Sequence, residues 1–410
     1  MDQSLTPIKG YGIVLGVILI LMPIMSHAGG LGMAPLTFIL GLLGLFISLR
    51  SGIKISLPFM ALLLLLVWAS VTAFWSSYQI DGFLTNYIKL LIMGPVFFFA
   101  PIVFKICSQN SRGFLPKLFV VTTCLSALLI TIDILSGFKI TMLFNPANTE
   151  DELARRLSDA EPNLSHAITV LLLLSAPVTL IAKTYFKSWK IWSLVFLALL
   201  LTAAFAHNLA IGVIGVPLVV LTLFLAFRFP TAVTKSVIAI GVLSLILAPF
   251  IGYASSLMVN GDLHSIPGSW EHRVRMWAYC WPQILENPLI GSGFDAVRTF
   301  DEEYITRNGI QHTIVSLHPH NFGIHLWTET GFIGVLLACF VIVTSYKAFK
   351  RQIKNVDKAA FISGVVVAAI LISLVTYGVW QFWWWASFFL TIGLIQFVSE
   401  KHPSKPSSNF

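Results

Sequence analysis

The chain has 410 residues, 57% of them hydrophobic and only 11% charged, with a mean hydropathy of +0.84 and a formal net charge of +8. A soluble globular domain carries roughly 25% charged residues, so that class is excluded, and the basic balance has to be placed along the chain before any nucleic-acid partner is considered. The class expected is an all-α, polytopic integral membrane protein, because the alternating pattern of a membrane barrel is absent.

Apolar runs long enough to cross a hydrocarbon core of ~30 Å recur along the sequence. They predict twelve spans, near 11–27, 31–49, 56–76, 83–104, 115–136, 164–183, 190–206, 209–227, 234–254, 321–345, 359–378 and 380–398. The first is read as a span and not as a cleaved leader, which keeps the number even. With both termini in the cytoplasm, the inner segments hold 18 of the 26 basic residues and, of the acids, only Asp2, Asp357 and Glu400. This is the positive-inside bias, and it accounts for the basic balance with membrane lipids, and no nucleic acid, as surroundings. The chain then divides into spans one to nine over 1–254, a large periplasmic loop over 255–320, spans ten to twelve over 321–398, and a cytoplasmic tail over 399–410. Cys107, Cys124, Cys280 and Cys339 form neither a disulfide framework nor a zinc spacing.

Ionisable residues inside the spans are few. Lys89 and Asp133 lie at similar depth and are expected to pair. Glu329 follows His325 by four residues, so the two can meet on one helix face.

Two outward segments are long enough to carry function. The first, 137–163, includes "TEDELARRLSDAEPN". The second, 255–320, includes "SWEHRVRMWAYCWPQILENPLIGSG", which reads as a helix with Ser269 as N-cap, ending before Pro288 and kinked at Pro282. On a wheel of about 100° per residue, Arg273 falls inside the apolar arc of Trp270, Val274, Trp277, Trp281 and Ile284, and Arg275 about 200° away among polar neighbours. Arg275 is therefore expected to be solvated. A guanidinium on an apolar face needs a partner: an internal carboxylate, a snorkelling path to water, or a phosphate from outside.

Span ten is preceded by "LHPHN". Pro319 interrupts any helix through His318 and His320, and Asn321 is a good capping residue for the span. His320 is then held at a helix mouth at the outer surface. It can cap or pack there, or act as a base toward an acceptor hydroxyl. An H-x-H with a nearby Glu also suggests metal, but the helical H-E-x-x-H pattern is missing.

The combination of R-x-x-x-W from Arg273 to Trp277, "NPLIGSGFDA", "HPHN" and "ETGFIG" resembles the O-antigen ligase and polymerase superfamily, and most of all the bacterial O-antigen ligases. The twelve spans and the long outer loop agree with it. The resemblance implies a glycosyltransferase of the inner membrane with a periplasmic site and neither metal nor nucleotide cofactor. The donor would be a glycan on undecaprenyl diphosphate and the acceptor lipid A–core. It maps the catalytic pair to Arg273 and His320. It brings Arg155, Arg156 and Asn163 toward the substrate, together with His207, which stands where such ligases often carry a second arginine. Arg275, His318, Asn321 and Glu329 complete the substrate-contacting candidates. An O-antigen polymerase or a protein O-oligosaccharyltransferase of the same superfamily is the alternative. A transporter is the alternative of another class, disfavoured because no paired Gly/Pro-broken spans are visible.

Overall fold

The structure is a computed structural model. It describes residues 9–398 apart from 28–29, 31, 53–54, 79–85, 111–112, 260, 262, 264–265, 306–310 and 316. The tail 399–410, and Lys54 and Arg112 of the charge pattern, lie outside the described residues. The first half of the chain folds as α1 (Lys9–His27), α2 (Met33–Arg50), α3 (Leu57–Thr72), α4 (Asn86–Asn110), α5 (Phe114–Leu135), α6 (Lys139–Phe144), α7 (Glu150–Tyr185) and α8 (Trp189–Ala206). The second half holds α9 (Ala210–Arg228), α10 (Pro230–Ile246), α11 (Ala248–Met258), α12 (Gly268–Glu286), α13 (Phe322–Phe349), α14 (Val356–Val375) and α15 (Phe382–Gly393). Between α12 and α13 a small antiparallel hairpin, β1 (Glu303–Ile305) with β2 (Gln311–Thr313), places Tyr304 opposite His312.

The protein is an all-α polytopic membrane protein, and each of the twelve expected spans coincides with a helix or helix pair. Nine helices among the described residues are long and apolar enough to cross a membrane alone. α10 and α11 form a further span bent by 56°, and the first and last apolar helices are shorter. The centre of the bundle is α7, in which every residue from Ala167 to Ala182 is buried against α5, α8, α9 and α14. Large apolar side chains such as Leu194, Ile214 and Phe224 face outward instead. That is the arrangement hydrocarbon requires.

Three expectations are corrected. The segment 137–163 is mostly helical: α6 occupies its start, and α7 begins at Glu150, well before the apolar run, with Thr149 accepting from Glu152 N–H. Asp133 does not pair with Lys89. Its carboxylate, 0% exposed, caps α6 through Ile140 N–H (2.7 Å) and Thr141 N–H (3.1 Å) and meets His27 Nε2 at 3.2 Å, while Lys89 is exposed. Local backbone donors at a helix start satisfy a buried carboxylate without ordering a long lysine side chain. In α12 the N-cap position is Pro267 and not Ser269; the helix contains Pro282 and ends at Glu286, before Pro288 as expected.

The glycine-rich motifs serve packing. α13 is broken at Gly331, where φ is 62° and ψ −166°. The loop 288–293 hydrogen-bonds across this break: Ser292 N–H to Thr328 O (2.8 Å), Gly293 N–H to Glu329 O (3.0 Å), and Phe332 N–H back to Pro288 O (2.9 Å). Gly291 and Gly331 both hold positive φ, and a Cβ on either would come within 2.5 Å of the other strand's backbone. "NPLIGSG" and "ETGFIG" are therefore the two halves of one backbone joint, in which only glycine fits. Trp68 and Trp75 cover it by donating to Thr330 O and Gly291 O.

Candidate functional site

A helix C-terminus leaves its last carbonyls without intrahelical partners. In α14 three consecutive ones, at Leu374, Val375 and Thr376, are taken by side chains from other elements. Asn321 Nδ2 donates to Leu374 O at 3.1 Å, Arg273 Nε to Val375 O at 2.9 Å, and His320 Nδ1 to Thr376 O. The negative end of the helix dipole suits a guanidinium. This carbonyl row brings Arg273, His320 and Asn321 together from two segments separated by more than forty residues.

Each is held in a way that limits its freedom. Asn321 caps α13, with Oδ1 accepting from Ile324 N–H at 3.0 Å, as its position before the span predicts. His320 occupies the left-handed region at φ 52°, which few non-glycine residues adopt without a constraint. Here the constraint is visible: Trp277 Nε1 donates to Pro319 O at 2.8 Å and pins the turn. Tryptophan of R-x-x-x-W thus fixes the HPH turn one helical turn beyond Arg273. With Nδ1 donating to Thr376 O, neutral His320 carries its proton there, and Nε2 keeps a lone pair. Burial pushes His320 down to about 4, against the pull of the Thr376 carbonyl; Arg273 adds to the lowering. His320 is neutral near pH 7.

Arg273 has no carboxylate partner among the described residues. It donates from Nε to Val375 O and from Nη1 to Ser269 O (2.8 Å), and its guanidinium lies 5.7 Å from the Trp270 ring. Burial disfavours its charge. Neutral acceptors satisfy its geometry but do not neutralise it, so an anion would be attracted there. Arg275 is different, and the expectation that it is solvated is corrected: it donates from Nε and Nη2 to Glu271 Oε1 at 3.1 and 2.9 Å, and Glu271 is 4% exposed. Its guanidinium also lies 4.9 Å from the Tyr304 ring.

Behind His320 stand His318, its ring 4.3 Å away, and His325, stacked on His318 at 6.4 Å. Burial, with smaller contributions from the neighbouring histidines and Arg298, holds His318 down to about 2. His325 Nε2 lies 3.2 Å from Glu329 Oε1, as the four-residue spacing predicts, and Trp380 Nε1 donates to Glu329 Oε2 at 2.5 Å. Glu329 is 0% exposed, and both its oxygens already have neighbours in the fold, His325 and Trp380.

Two of the candidates on α7 and α8, Arg156 and His207, are engaged by local partners. Arg156 pairs with Glu152, donates to Asn145 Oδ1 at 2.6 Å and also meets Pro146 O. His207 Nε2 meets Glu161 O and Ser165 Oγ, both at 2.9 Å, tying α8 to α7. Arg155 is exposed and Asn163 half-buried. No hydrogen bond or ion pair among the described residues joins these four to the α14 carbonyl row. α7 reaches the row through residues that sequence reasoning passed over. His166, one turn past Asn163, packs on Tyr377 (5.1 Å) and Trp383 (4.7 Å), and Thr169 Oγ1 meets Tyr377 Oη at 3.1 Å. The signal was its i+3 spacing from Asn163. His272, hydrogen-bonded to Tyr304 Oη at 2.9 Å, was also missed. Among the described residues no group of three or more His, Cys, Asp or Glu side chains is arranged to hold a metal ion.

Comparison with known proteins agrees with the motif resemblance. Residues 195–341 match a family described as O-antigen ligase. A protein of Rickettsia conorii, named "Putative polysaccharide ligase RC0486", is 30% identical over 122 residues, 28% of this chain and 29% of its own length. A Rickettsia bellii protein of the same descriptive name is 28% identical over 172 residues, 40% of this chain and 41% of its own length. The chain thus aligns with well under half of each relative. No solved structure matches it. The matched segment 195–341 contains the R-x-x-x-W, HPHN and ETGFIG motifs, so the likeness to the O-antigen ligase family rests on that part of the chain.

Proposed function

We propose that this protein is a glycosyltransferase of the O-antigen ligase type. It transfers a polysaccharide from undecaprenyl diphosphate to a sugar hydroxyl of lipid A–core, at the periplasmic face of the bacterial inner membrane. The observation that carries this reading is the pairing of Arg273 and His320 on the adjacent carbonyls of Val375 and Thr376. One side chain offers an uncompensated cation and the other an unshared lone pair. Those are the two things a displacement at a glycosyl diphosphate needs from a protein.

His320 Nε2 takes the proton of the acceptor hydroxyl as its oxygen bonds to the anomeric carbon. The bond from that carbon to the diphosphate oxygen breaks, and the electron pair leaves with the diphosphate. Arg273 stabilises the charge that develops on it. A single displacement inverts the anomeric centre. No step calls for metal or nucleotide.

The test is twofold. In cells, deletion of the gene abolishes the lipopolysaccharide ladder while polymer persists on the carrier lipid; retention of a single capped repeat on lipid A indicates a polymerase instead. With purified protein, lipid-linked donor and lipid A–core give product; absence of product with an active donor overturns the reading. For the side of the membrane, all four native cysteines are buried, so background labelling is low. Single cysteines at the exposed Asp301 or Gln311 react with an impermeant thiol reagent in intact spheroplasts. Labelling only after lysis overturns that assignment.

A further inference from the structure

A lipid diphosphate is at least a dianion, and Arg273 is a single cation. The other arginines of the site region are mostly committed: Arg275 to Glu271 and Arg156 to Glu152. Arg298 is ion-paired as well, with Asp295, but its approach is through Nε and not through a terminal nitrogen. It sits in the 3-10 turn Ala296–Thr299, directly after "NPLIGSGFD". Its Nε lies 3.1 Å from Asp295 Oδ1 in an ion pair, and Asn86 Nδ2 donates to the other oxygen, Oδ2, at 2.8 Å. Asp295 is buried and held in the left-handed region at φ 59°, so the anchor is rigid. The guanidinium lies 5.7 Å from the Tyr78 ring, and its side chain is 32% exposed. Its terminal nitrogens have no hydrogen bond among the described residues. A guanidinium gripped at Nε presents its two terminal N–H groups as a fork, the geometry that takes a phosphate.

The turn is also tied to the histidines. Val297 N–H approaches Glu329 Oε1 at 3.4 Å, Glu329 meets His325, and His325 stacks on His318. Burial is the main reason both His318 and His320 stay neutral, Arg298 adds to it at His318 and Arg273 at His320, and the two rings are 4.3 Å apart.

Resting on the ligase reading, we infer that Arg298 is the second cationic contact for the carrier's diphosphate, acting beside Arg273 on the other member of the histidine pair. Asp295 takes part of its charge, so the contribution is directional more than net. The contact forms already with bound donor, so its loss raises KM for the donor and leaves kcat close to wild type.

The experiment uses the full chain in lipid nanodiscs, with transfer assayed against undecaprenyl diphosphate and undecaprenyl monophosphate as competing inhibitors. Wild type is inhibited better by the diphosphate. Arg298→Gln raises donor KM roughly 10- to 100-fold, the worth of a charged hydrogen bond, and lowers the preference for diphosphate over monophosphate. Arg298→Lys restores part of both. Asp295→Asn, which keeps the cation but loosens it, gives a smaller rise. Unchanged KM and preference in Arg298→Gln overturns the inference. So does an equal loss toward both lipids with a lowered melting temperature, which is what a purely structural ion pair would give. If wild type transfers nothing and distinguishes neither lipid, the ligase reading itself fails and takes this inference with it.

Discussion

Arg273 and Arg156 are both arginines on helices at long inter-span segments, yet the molecule uses them in opposite ways. Arg156 is closed off by a carboxylate, an amide oxygen and a backbone carbonyl, all supplied within eleven residues of chain. Arg273 is held only by backbone carbonyls, one of them 102 residues away. His207 and His320 repeat the contrast. His207 spends Nε2 on Glu161 and Ser165, and His320 spends Nδ1 on Thr376 and keeps Nε2. Charge satisfied locally stabilises a fold. Geometry satisfied while charge or a lone pair is left over stores capacity for a ligand. By that criterion we propose the α12–α14 region, and not the start of α7, as the working site.

The contrast is broken most directly at His320. His320→Ala is expected to lower turnover roughly 10²- to 10⁴-fold, the usual worth of a positioned base. The pH profile gives a second handle. A base works while neutral, so activity falls as pH drops through its pKa. Burial holds His320 at about 4 in the ligand-free protein, so the acid limb of kcat/KM lies well below the ordinary value of about 6.5. A bound diphosphate favours the imidazolium, so the limb of kcat lies higher than that of kcat/KM. Coincident limbs near 6.5 would remove the argument from burial. Activity in His320→Ala at the wild-type level, or abolition by EDTA with recovery on a divalent ion, would sink the mechanism.

Arg273→Ala is expected next, at roughly 10²- to 10³-fold in turnover, the range for one transition-state donor, with normal amounts of protein in the membrane. Arg273→Lys recovers only part, because an ammonium cannot keep the Val375 and Ser269 contacts and also present a fork. Full recovery by lysine would mean that charge alone matters there.

How much of this was readable beforehand follows from where each partner lies. Apolar runs, the cap at Asn321, the 200° separation of Arg273 and Arg275, and the His325–Glu329 spacing are local properties, and local periodicity carries them. The carbonyl row is not local. Any helix end offers bare carbonyls, and nothing in "LVTYG" says that three side chains from elsewhere will use them. The pairing expected between Lys89 and Asp133 failed for a related reason: depth in the membrane was counted, and the six-residue helix starting at Lys139, whose N–H groups Asp133 caps, was not foreseen. Arg275 was misjudged because the wheel gives direction without saying what Glu271, one turn earlier, is buried against.

Arg275 now tests the other side of the comparison. Arg275→Ala removes the cation paired with the buried Glu271, at a cost of about 2–3 kcal/mol; this is placed below the usual range for buried pairs because the arginine is 26% exposed. The expected outcome is less protein and a lower melting temperature, with turnover per folded molecule near wild type. The paired change to Glu271→Gln with Arg275→Gln recovers most of the stability. Equal loss of turnover in Arg273→Ala and Arg275→Ala, at equal protein levels, would erase the difference between the two faces of α12.

The smallest effects belong to the start of α7. Arg155 is exposed and lies beside Glu152 and Arg156, so Arg155→Ala removes a solvated charge, and turnover stays within about threefold of wild type. His207→Ala removes two hydrogen bonds joining α8 to α7, worth about 1–2 kcal/mol together. It is expected to lower the melting temperature by a few degrees without altering donor KM. The measurement that sharpens the comparison is donor KM beside thermal unfolding for both variants in nanodiscs. If His207 served the diphosphate, its loss would raise KM at unchanged stability. A tenfold rise of that kind, in His207→Ala or in Arg155→Ala, would extend the site from the α14 carbonyl row to the α7–α8 junction and would end the distinction between locally satisfied and ligand-ready cations.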